Sequence, residues 1–259
     1  QDYTVHDKVH PNKAGAEKMA TVWFEALKKV LASSETVFSP EIVRYKTLED
    51  GDSLALHIFK PRNMQAGEKR PAIVYFFGGG WKLGTPIQFY RECAYYASKG
   101  MVAVSVDYRI GYLHHSTPFE SFEDAKDAIC WLRSHASDYQ LDPDKIAVAG
   151  GSAGGHLAAA LGTIGSDETV PAGYRPNLSV LYYPVIDMVS RGYGFPEIKR
   201  DFEKISPIHH VSEATPSTLI LLGTKDPIVS VETIEAYQDK LLQKGVDCEL
   251  HLFEGAGHP

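Results

Sequence analysis

Short runs of β-branched and aromatic residues alternate with longer amphipathic stretches from residue 40 onward. The short runs have the length of strands, and they predict a series of strands along the chain. These span residues 41–46, 53–59, 72–77, 102–106, 145–149, 178–182, 218–222 and 247–253. The first two flank the turn sequence Glu49-Asp50-Gly51-Asp52, so we expect them to form an antiparallel hairpin.

The longer stretches have the periodicity of helices. Residues 119–137 carry apolar side chains on one side and charged side chains on the other, and residues 231–244 form a similar helix that Gly245 ends. Later strand runs, such as 219–222, are continuously hydrophobic, which is typical of strands with helices on both faces of the sheet. The pattern predicts an α/β fold with a mostly parallel, eight-stranded, doubly wound sheet over residues 40–259.

Composition and charge narrow the classes of protein. The contents of hydrophobic residues (44%) and charged residues (23%) are those of a folded globular chain. The net charge of −7, with no dense run of Lys and Arg, argues against nucleic acid as a partner. No apolar stretch approaches the roughly 18 residues that span a membrane, so we expect no membrane partner. Cys93, Cys130 and Cys248 are widely spaced and predict neither a disulfide framework nor a metal site.

A strand–turn–helix pattern carries the strongest chemical signal. The fifth predicted strand runs into Gly150-Gly151-Ser152-Ala153-Gly154, a G-x-S-x-G sequence, and then into an alanine-rich helix. Glycines here let neighbouring chain pass where Cβ atoms would collide, and the sharp turn lifts the serine hydroxyl above the sheet. Ser152 is therefore the candidate nucleophile. A phosphate-binding turn is the alternative, but G-x-G-x-x-G fails at residues 78–84 and G-K-[ST] does not occur.

A serine hydroxyl is a weak nucleophile without a base, and that base requires an orienting acid. Asp226 follows the seventh predicted strand and His258 follows the eighth. Functional groups of parallel sheets gather at the carboxyl ends of the strands, so Ser152, Asp226 and His258 are expected to converge. Asp187, after the sixth strand, is the alternative acid. Less favoured positions for the base are those of His209, His210 and His251.

Backbone N–H groups for a developing oxyanion are available at the same edge. The sequence Phe77-Gly78-Gly79-Gly80-Trp81 follows the third strand, and the N–H of Ala153 follows the nucleophile. Trp81 and Tyr108 are candidates for lining the substrate site, with core packing favoured for Tyr108. The connection 187–206 is short, so we expect no large lid and an open cleft.

Residues 40–259 resemble the α/β-hydrolase fold and, within it, the bacterial acetylxylan and feruloyl esterases, neighbours of the hormone-sensitive-lipase-like group. The resemblance implies Ser152 as nucleophile, Asp226 as acid and His258 as base. It also implies Gly79, Gly80 and Ala153 as oxyanion donors. The stretches that carry it are residues 74–84, 106–109, 122–135, 141–143, 150–158, 183–185, 223–228 and 255–258.

This interpretation predicts a serine esterase that needs neither metal nor cofactor. It would remove a small acyl group, acetyl or feruloyl, from a carbohydrate or similar alcohol through an acyl-enzyme. The alternatives are an amide-cleaving serine hydrolase, such as a formamidase or peptidase, and a catalytically inactive hydrolase fold used for binding. The peptidases usually place Tyr after the serine, where this chain has Ala153. A secreted or periplasmic location is implied by the resemblance alone, and the oligomeric state is left open.

Two departures from the resembled pattern affect the site. Such proteins often carry His-Gly-Gly-Gly where this chain has Phe77-Gly78-Gly79-Gly80, so the loop lacks an imidazole that would brace it. The chain also ends one residue after His258, where these esterases continue into a helix. We therefore expect the domain to be truncated at this end and His258 to fray.

Residues 1–39 resemble something different. Asp7 and His10 form a D-x-x-H pattern like the last block of SGNH/GDSL hydrolases, whose nucleophile block does not occur in this chain. The preferred interpretation for these residues is an amphipathic helix to about residue 31. For the parent protein we expect the tail of an upstream SGNH domain, which makes the chain a fragment of a multidomain protein.

Overall fold

A computed structural model describes residues 39–165, 172–188 and 201–259, which belong to the compact unit Ser39–Pro259. The predicted N-terminal helix, with Asp7 and His10, lies outside the described residues, as does most of the connection that is predicted to be short. No helix of the described part has both the length and the apolar character to cross a membrane.

The centre of the domain is an eight-stranded open sheet with the order β1-β2-β4-β3-β5-β6-β7-β8. β1 pairs antiparallel with β2, β2 pairs antiparallel with β4, and the other pairs are parallel. The predicted hairpin and mostly parallel sheet are therefore confirmed. The strands are β1 (Glu41–Thr47), β2 (Ser53–Phe59), β3 (Arg70–Phe76), β4 (Val102–Val106), β5 (Leu141–Gly151), β6 (Leu178–Tyr182), β7 (Ser217–Gly223) and β8 (Cys248–Phe253).

The helices begin and end at residues that suit helix termini. Thr117 and Glu120 form a capping box at the start of the longest helix, and the Ser230 hydroxyl accepts a hydrogen bond from the Thr233 N–H at the start of the last one. Gly245, with φ of 73°, follows that last helix as expected. The described α-helices are α1 (Tyr90–Ser98), α2 (Gly111–His114), α3 (Pro118–Ser134), α4 (Ala153–Thr163), α5 (Phe202–Ile205) and α6 (Val231–Gln243).

Burial along the sheet separates its centre from its edge. All residues of β4 are buried, which requires cover on both faces of the sheet. β8 is different, because among the described strands it is the last of the sheet and pairs on one side only. Its alternation predicts a buried Cys248, but that residue is only half-buried, and Leu252 and Phe253 are exposed. The alternation was a correct signal for a strand and a wrong signal for burial.

The strand order brings the chemical candidates to one edge. β3 and β5 are neighbours, so the glycine loop after β3 lies beside the turn that carries Ser152. β5, β6, β7 and β8 follow one another in parallel. Asp226, after β7, and His258, after β8, therefore lie at the carboxyl edge from which Ser152 also emerges.

Candidate active site

Ser152 occupies a strained turn between β5 and α4. Its φ of 54° and ψ of −117° lie outside the conformations that L-residues prefer. A Cβ at Gly154 would overlap the carbonyl oxygen of Phe76, and one at Gly150 would overlap that of Gly154. Only glycine therefore fits at these two positions, and the predicted reason for the G-x-S-x-G pattern is confirmed.

His258 and Asp226 form a close pair. His258 Nδ1 lies 2.7 Å from Asp226 Oδ2, and the Asp226 side chain is completely buried. The other carboxylate oxygen, Oδ1, accepts hydrogen bonds from the N–H groups of Ile228 (2.8 Å) and Val229 (2.9 Å). Three contacts thus fix the carboxylate and orient the imidazole.

The alternative acid and bases lie elsewhere. Asp187 Oδ1 lies 3.9 Å from His209 Nε2, and His251 pairs with Glu249 at 2.6 Å. His210 Nε2 donates to the Glu203 carbonyl. The geometry therefore favours Asp226 over Asp187 as the partner of His258.

The segment that carries His258 is held in place on several sides. The Lys225 N–H donates to the Ala256 carbonyl at 2.8 Å, and the Gly255 N–H donates to Thr224 Oγ1 at 2.9 Å. The His258 ring lies edge-on to Tyr183, with 4.7 Å between ring centroids. Burial raises the pKa of the Tyr183 hydroxyl, which keeps it neutral beside the imidazole. These contacts connect the segment before His258 to the loop after β7 and place the His258 ring against Tyr183.

The glycine loop after β3 turns sharply beside the Ser152 turn. Gly79 and Gly80 have φ of 130° and 62°, and a Cβ at Gly79 would overlap the Leu83 carbonyl. Position 79 therefore requires glycine, and the φ of Gly80 lies in the region that favours it. Within the described part of the chain, the amides of Gly79 and Gly80 donate no hydrogen bond. They remain available to a ligand.

A cavity of about 570 Å³ connects these groups. Ser152, His258, Gly79 and Gly80 share its wall, so the structure brings the proposed nucleophile, base and two oxyanion donors together. Ala153, the third proposed donor, follows Ser152 at the start of α4. The cavity is also lined by Gly78, Leu83, Gly84, Thr85, Ile87, Gln88, Tyr183, Ile228 and Pro259.

Trp81 and Tyr108 belong to the core and not to the cavity wall. Trp81 is only 1% exposed, and its ring lies edge-on to the His156 ring, with 5.1 Å between centroids. Tyr108 is completely buried, stacks on Phe77 and donates its hydroxyl to the Phe77 carbonyl at 2.6 Å. The placement corrects the expectation that Trp81 lines the site and supports core packing for Tyr108.

His156, one turn after the nucleophile, is not a competing base. Burial lowers its pKa to about 4, so the imidazole is neutral. Its Nε2 donates to the Ile205 carbonyl at 2.7 Å. This bond joins α4 to the last residue of α5.

The structure adds wall residues that sequence reasoning missed. Tyr183 follows β6 directly, and its position after a parallel strand was a usable signal. Gln88 lies on a short 3₁₀ turn, Pro86–Phe89, and nothing in its sequence context indicates a site. Ile87 and Ile228 are exposed apolar residues whose meaning depends on the cavity beside them.

Known proteins with this fold share the arrangement of the domain. Esterase 2 of the planctomycete Thermogutta terrifontis superposes with a TM-score of 0.79 at 37% sequence identity, over 85% of this chain and 83% of that chain. Structures of that esterase include propionate-bound and butyrate-bound forms and a form phosphorylated by paraoxon.

Curated relatives are more distant. Esterase LipC of Mycobacterium tuberculosis is 28% identical over 223 residues, which cover 74% of this chain and 53% of LipC. The acetylxylan esterase of Xylanibacter ruminicola is 26% identical over 227 residues, which cover 82% of this chain and 44% of that enzyme. The chain spans about half the length of the first of these relatives.

The BD-FAE family model matches residues 56–190, from β2 to beyond β6. This range covers more than half of the chain and includes the glycine loop and the Ser152 turn. The chain therefore belongs to the BD-FAE family, with the α/β-hydrolase fold that its esterase relatives share.

Proposed function

We propose that the domain is a serine carboxylic ester hydrolase in which Ser152 is the nucleophile, His258 the base and Asp226 the orienting acid. The observation that carries the proposal is the pair of His258 and buried Asp226 beside the cavity that Ser152 lines. The names of esterase 2 and LipC support the same reaction class.

In the acylation step, Ser152 Oγ attacks the ester carbonyl carbon and its proton passes to His258 Nε2. His258 keeps its other proton on Nδ1, and the Nδ1–H group donates a hydrogen bond to Asp226 Oδ2, which stays ionised. The carbonyl π electrons move to oxygen, and the N–H groups of Gly79, Gly80 and Ala153 stabilise that charge. Collapse breaks the bond to the alcohol oxygen, which takes the proton from Nε2 and leaves an acyl-serine.

Water completes the reaction by the same route. His258 Nε2 removes a proton from water as its oxygen attacks the acyl carbon, and the same amides hold the second oxyanion. Collapse breaks the bond to Ser152 Oγ, which regains the proton from Nε2. A carboxylic acid leaves, and the protein returns to its starting state.

We infer a substrate with a small acyl group on a carbohydrate or similar alcohol. Short acids bind esterase 2, since propionate and butyrate forms exist, and one relative is named as an acetylxylan esterase. Glycines above Ser152 leave room at the reacting carbon, and the cavity of about 570 Å³ accommodates a larger alcohol. Acetyl is therefore preferred over feruloyl as the acyl group.

The test uses p-nitrophenyl acetate and a fluorophosphonate probe. Ser152→Ala is expected to lose about 10⁴-fold or more in kcat and all labelling, whereas Ser134→Ala, on the exposed end of α3, behaves like the wild type. Equal turnover by Ser152→Ala contradicts the assignment, and a wild type that does not label is an inactive scaffold. Acetylated xylan, a feruloylated arabinoxylan and p-nitroacetanilide then compare acyl groups, and a preference for the anilide favours an amide hydrolase.

A further inference from the structure

The peptide unit between Phe77 and Gly78 carries two side-chain hydrogen bonds. Its carbonyl, from Phe77, accepts the Tyr108 hydroxyl at 2.6 Å. Its N–H, from Gly78, donates to Gln88 Oε1 at 2.5 Å. Because a peptide unit is planar, these two side chains bind opposite sides of one rigid group. We call the arrangement the 77–78 clamp.

The clamped peptide directly precedes the proposed oxyanion donors. A Cβ at Gly78 would lie 3.0 Å from the Gly151 carbonyl and 3.5 Å from Ser152 Cβ, so this peptide runs against the nucleophile turn. Rotation of the peptide plane would change the direction of the Gly79 and Gly80 amides that follow. Such donors contribute fully only when they are held in the productive geometry.

Both side chains of the clamp come from rigid supports. Tyr108 is completely buried, and its ring stacks on Phe77 with 4.1 Å between centroids. Gln88 is exposed to the cavity, but its 3₁₀ turn is anchored by buried Pro86 and Phe89. The Ser105 hydroxyl donates to the Pro86 carbonyl at 2.7 Å. The Gln88 carboxamide is thus presented from a fixed backbone.

The clamp also determines which amides are available. Because the Gly78 N–H is bonded to Gln88, it is not free for an oxyanion. The Gly79 and Gly80 amides are the loop donors that remain. The loop lacks the preceding histidine expected from the resembled proteins, and the clamp supplies a brace by other residues.

We propose that Gln88 and Tyr108 are positioning residues that act together through the 77–78 peptide to aim the oxyanion donors. The inference rests on the proposed function, because it gives the loop a role in the same reaction. Neither residue is required to touch the substrate. Their shared effect is on stabilisation of the tetrahedral state.

The experiment compares Gln88→Met, which removes the acceptor at similar length, Tyr108→Phe, which removes only the hydroxyl, and the double variant. Each single variant is expected to lower kcat for p-nitrophenyl acetate about tenfold, less than the roughly 10²-fold or greater loss of a whole donor, with KM within about twofold. The inhibition constant of an aryl boronate, which forms a tetrahedral adduct with the serine, rises by the same factor. Propionate inhibition, as a ground-state measure, stays unchanged.

The double variant distinguishes a shared clamp from two separate effects. If both residues hold one peptide, the kcat of the double variant is no lower than that of the less active single variant. The clamp is contradicted if the kcat losses of the two single variants multiply in the double variant. It is also contradicted if only KM changes, or if the affinity for the boronate is unchanged. Gln243→Leu, at the exposed end of α6, is the matched control. A wild type that neither labels nor turns over defeats the proposed function, whereas an active wild type with a normal Gln88→Met variant defeats only the clamp.

Discussion

Replacing Asp226 by Asn changes which groups of the site donate and accept hydrogen bonds, without changing the shape of the site. In the wild type, Oδ1 accepts from the N–H groups of Ile228 and Val229, and Oδ2 faces His258 Nδ1. An asparagine has one oxygen and one NH₂ group. If its oxygen keeps the two backbone bonds, its NH₂ faces Nδ1.

That orientation selects the wrong histidine tautomer. Nδ1 must then accept a hydrogen bond, so the proton resides on Nε2, which cannot take the Ser152 proton. The opposite orientation directs an NH₂ at two N–H donors and forfeits two backbone hydrogen bonds, at about 1 kcal/mol each. The inactive orientation is therefore favoured, and a tautomer exchange of this kind lowers kcat about 10⁴-fold.

The assay is kcat for p-nitrophenyl acetate at pH 7.5, with thermal unfolding as the measure of folding. Asp226→Asn is expected to retain its melting temperature, because the two backbone bonds survive. Asp187→Asn, the matched change at the alternative acid, stays within about twofold of wild type. The reasoning is refuted if Asp187→Asn carries the large loss, or if Asp226→Asn remains fully active.

Two further predictions concern stability. Asp124, which is completely buried, pairs with Lys46 at 2.6 Å and Arg109 at 2.8 Å, so Asp124→Asn should lower the free energy of unfolding by about 3 kcal/mol in urea titrations; Asp127→Asn, which affects the same Lys46 from a half-exposed position, should cost less than about 1 kcal/mol. Burial lowers the pKa of His156 from 6.5 to about 4, so the unfolded state binds more protons between these values. Stability from this group is present above pH 6.5 and declines by about 3 kcal/mol as pH falls to 4. Burial raises the pKa of Asp107 to about 6, so this group affects stability in the opposite direction. The test therefore compares the pH dependence of the free energy of unfolding in wild type and His156→Leu. The prediction for His156 is contradicted if the two dependences are the same.

The strand positions were predictable because buried parallel strands require continuous apolar runs. The observed β2, β4 and β6 have the predicted bounds. β5 begins earlier than predicted, at Leu141, because Arg70 pairs with Leu141 across a register shift. The sequence Asp142-Pro143 indicates a break, and the sheet accommodates it with that irregularity. The sequence therefore predicted that a strand exists better than it predicted the residues at which the strand begins and ends.

Placement of Asp226 and His258 at one edge was also predictable, since each follows a parallel strand and the carboxyl ends of parallel strands lie at the same edge. The burial of Trp81 was not predictable, because its position in the loop after β3 does not show which way its side chain points. Side-chain direction in such a loop is determined by the packing around it.

The bracing of the glycine loop shows where sequence reasoning stops. The chain has Phe77 where the resembled proteins often carry a histidine, which indicated a loop without that supporting imidazole. The inference is correct for this one side chain only. The structure supplies support from Tyr108 after β4 and from Gln88 on the 3₁₀ turn, positions 31 and 10 residues away. Neither has a spacing rule that connects it to the loop. A hydrogen bond to a backbone amide requires a group of the right chemistry at the right place, whatever its position in the chain. Different residues can therefore hold the same glycine loop in place. A test of how firmly the loop is held is more informative than a search for one expected residue.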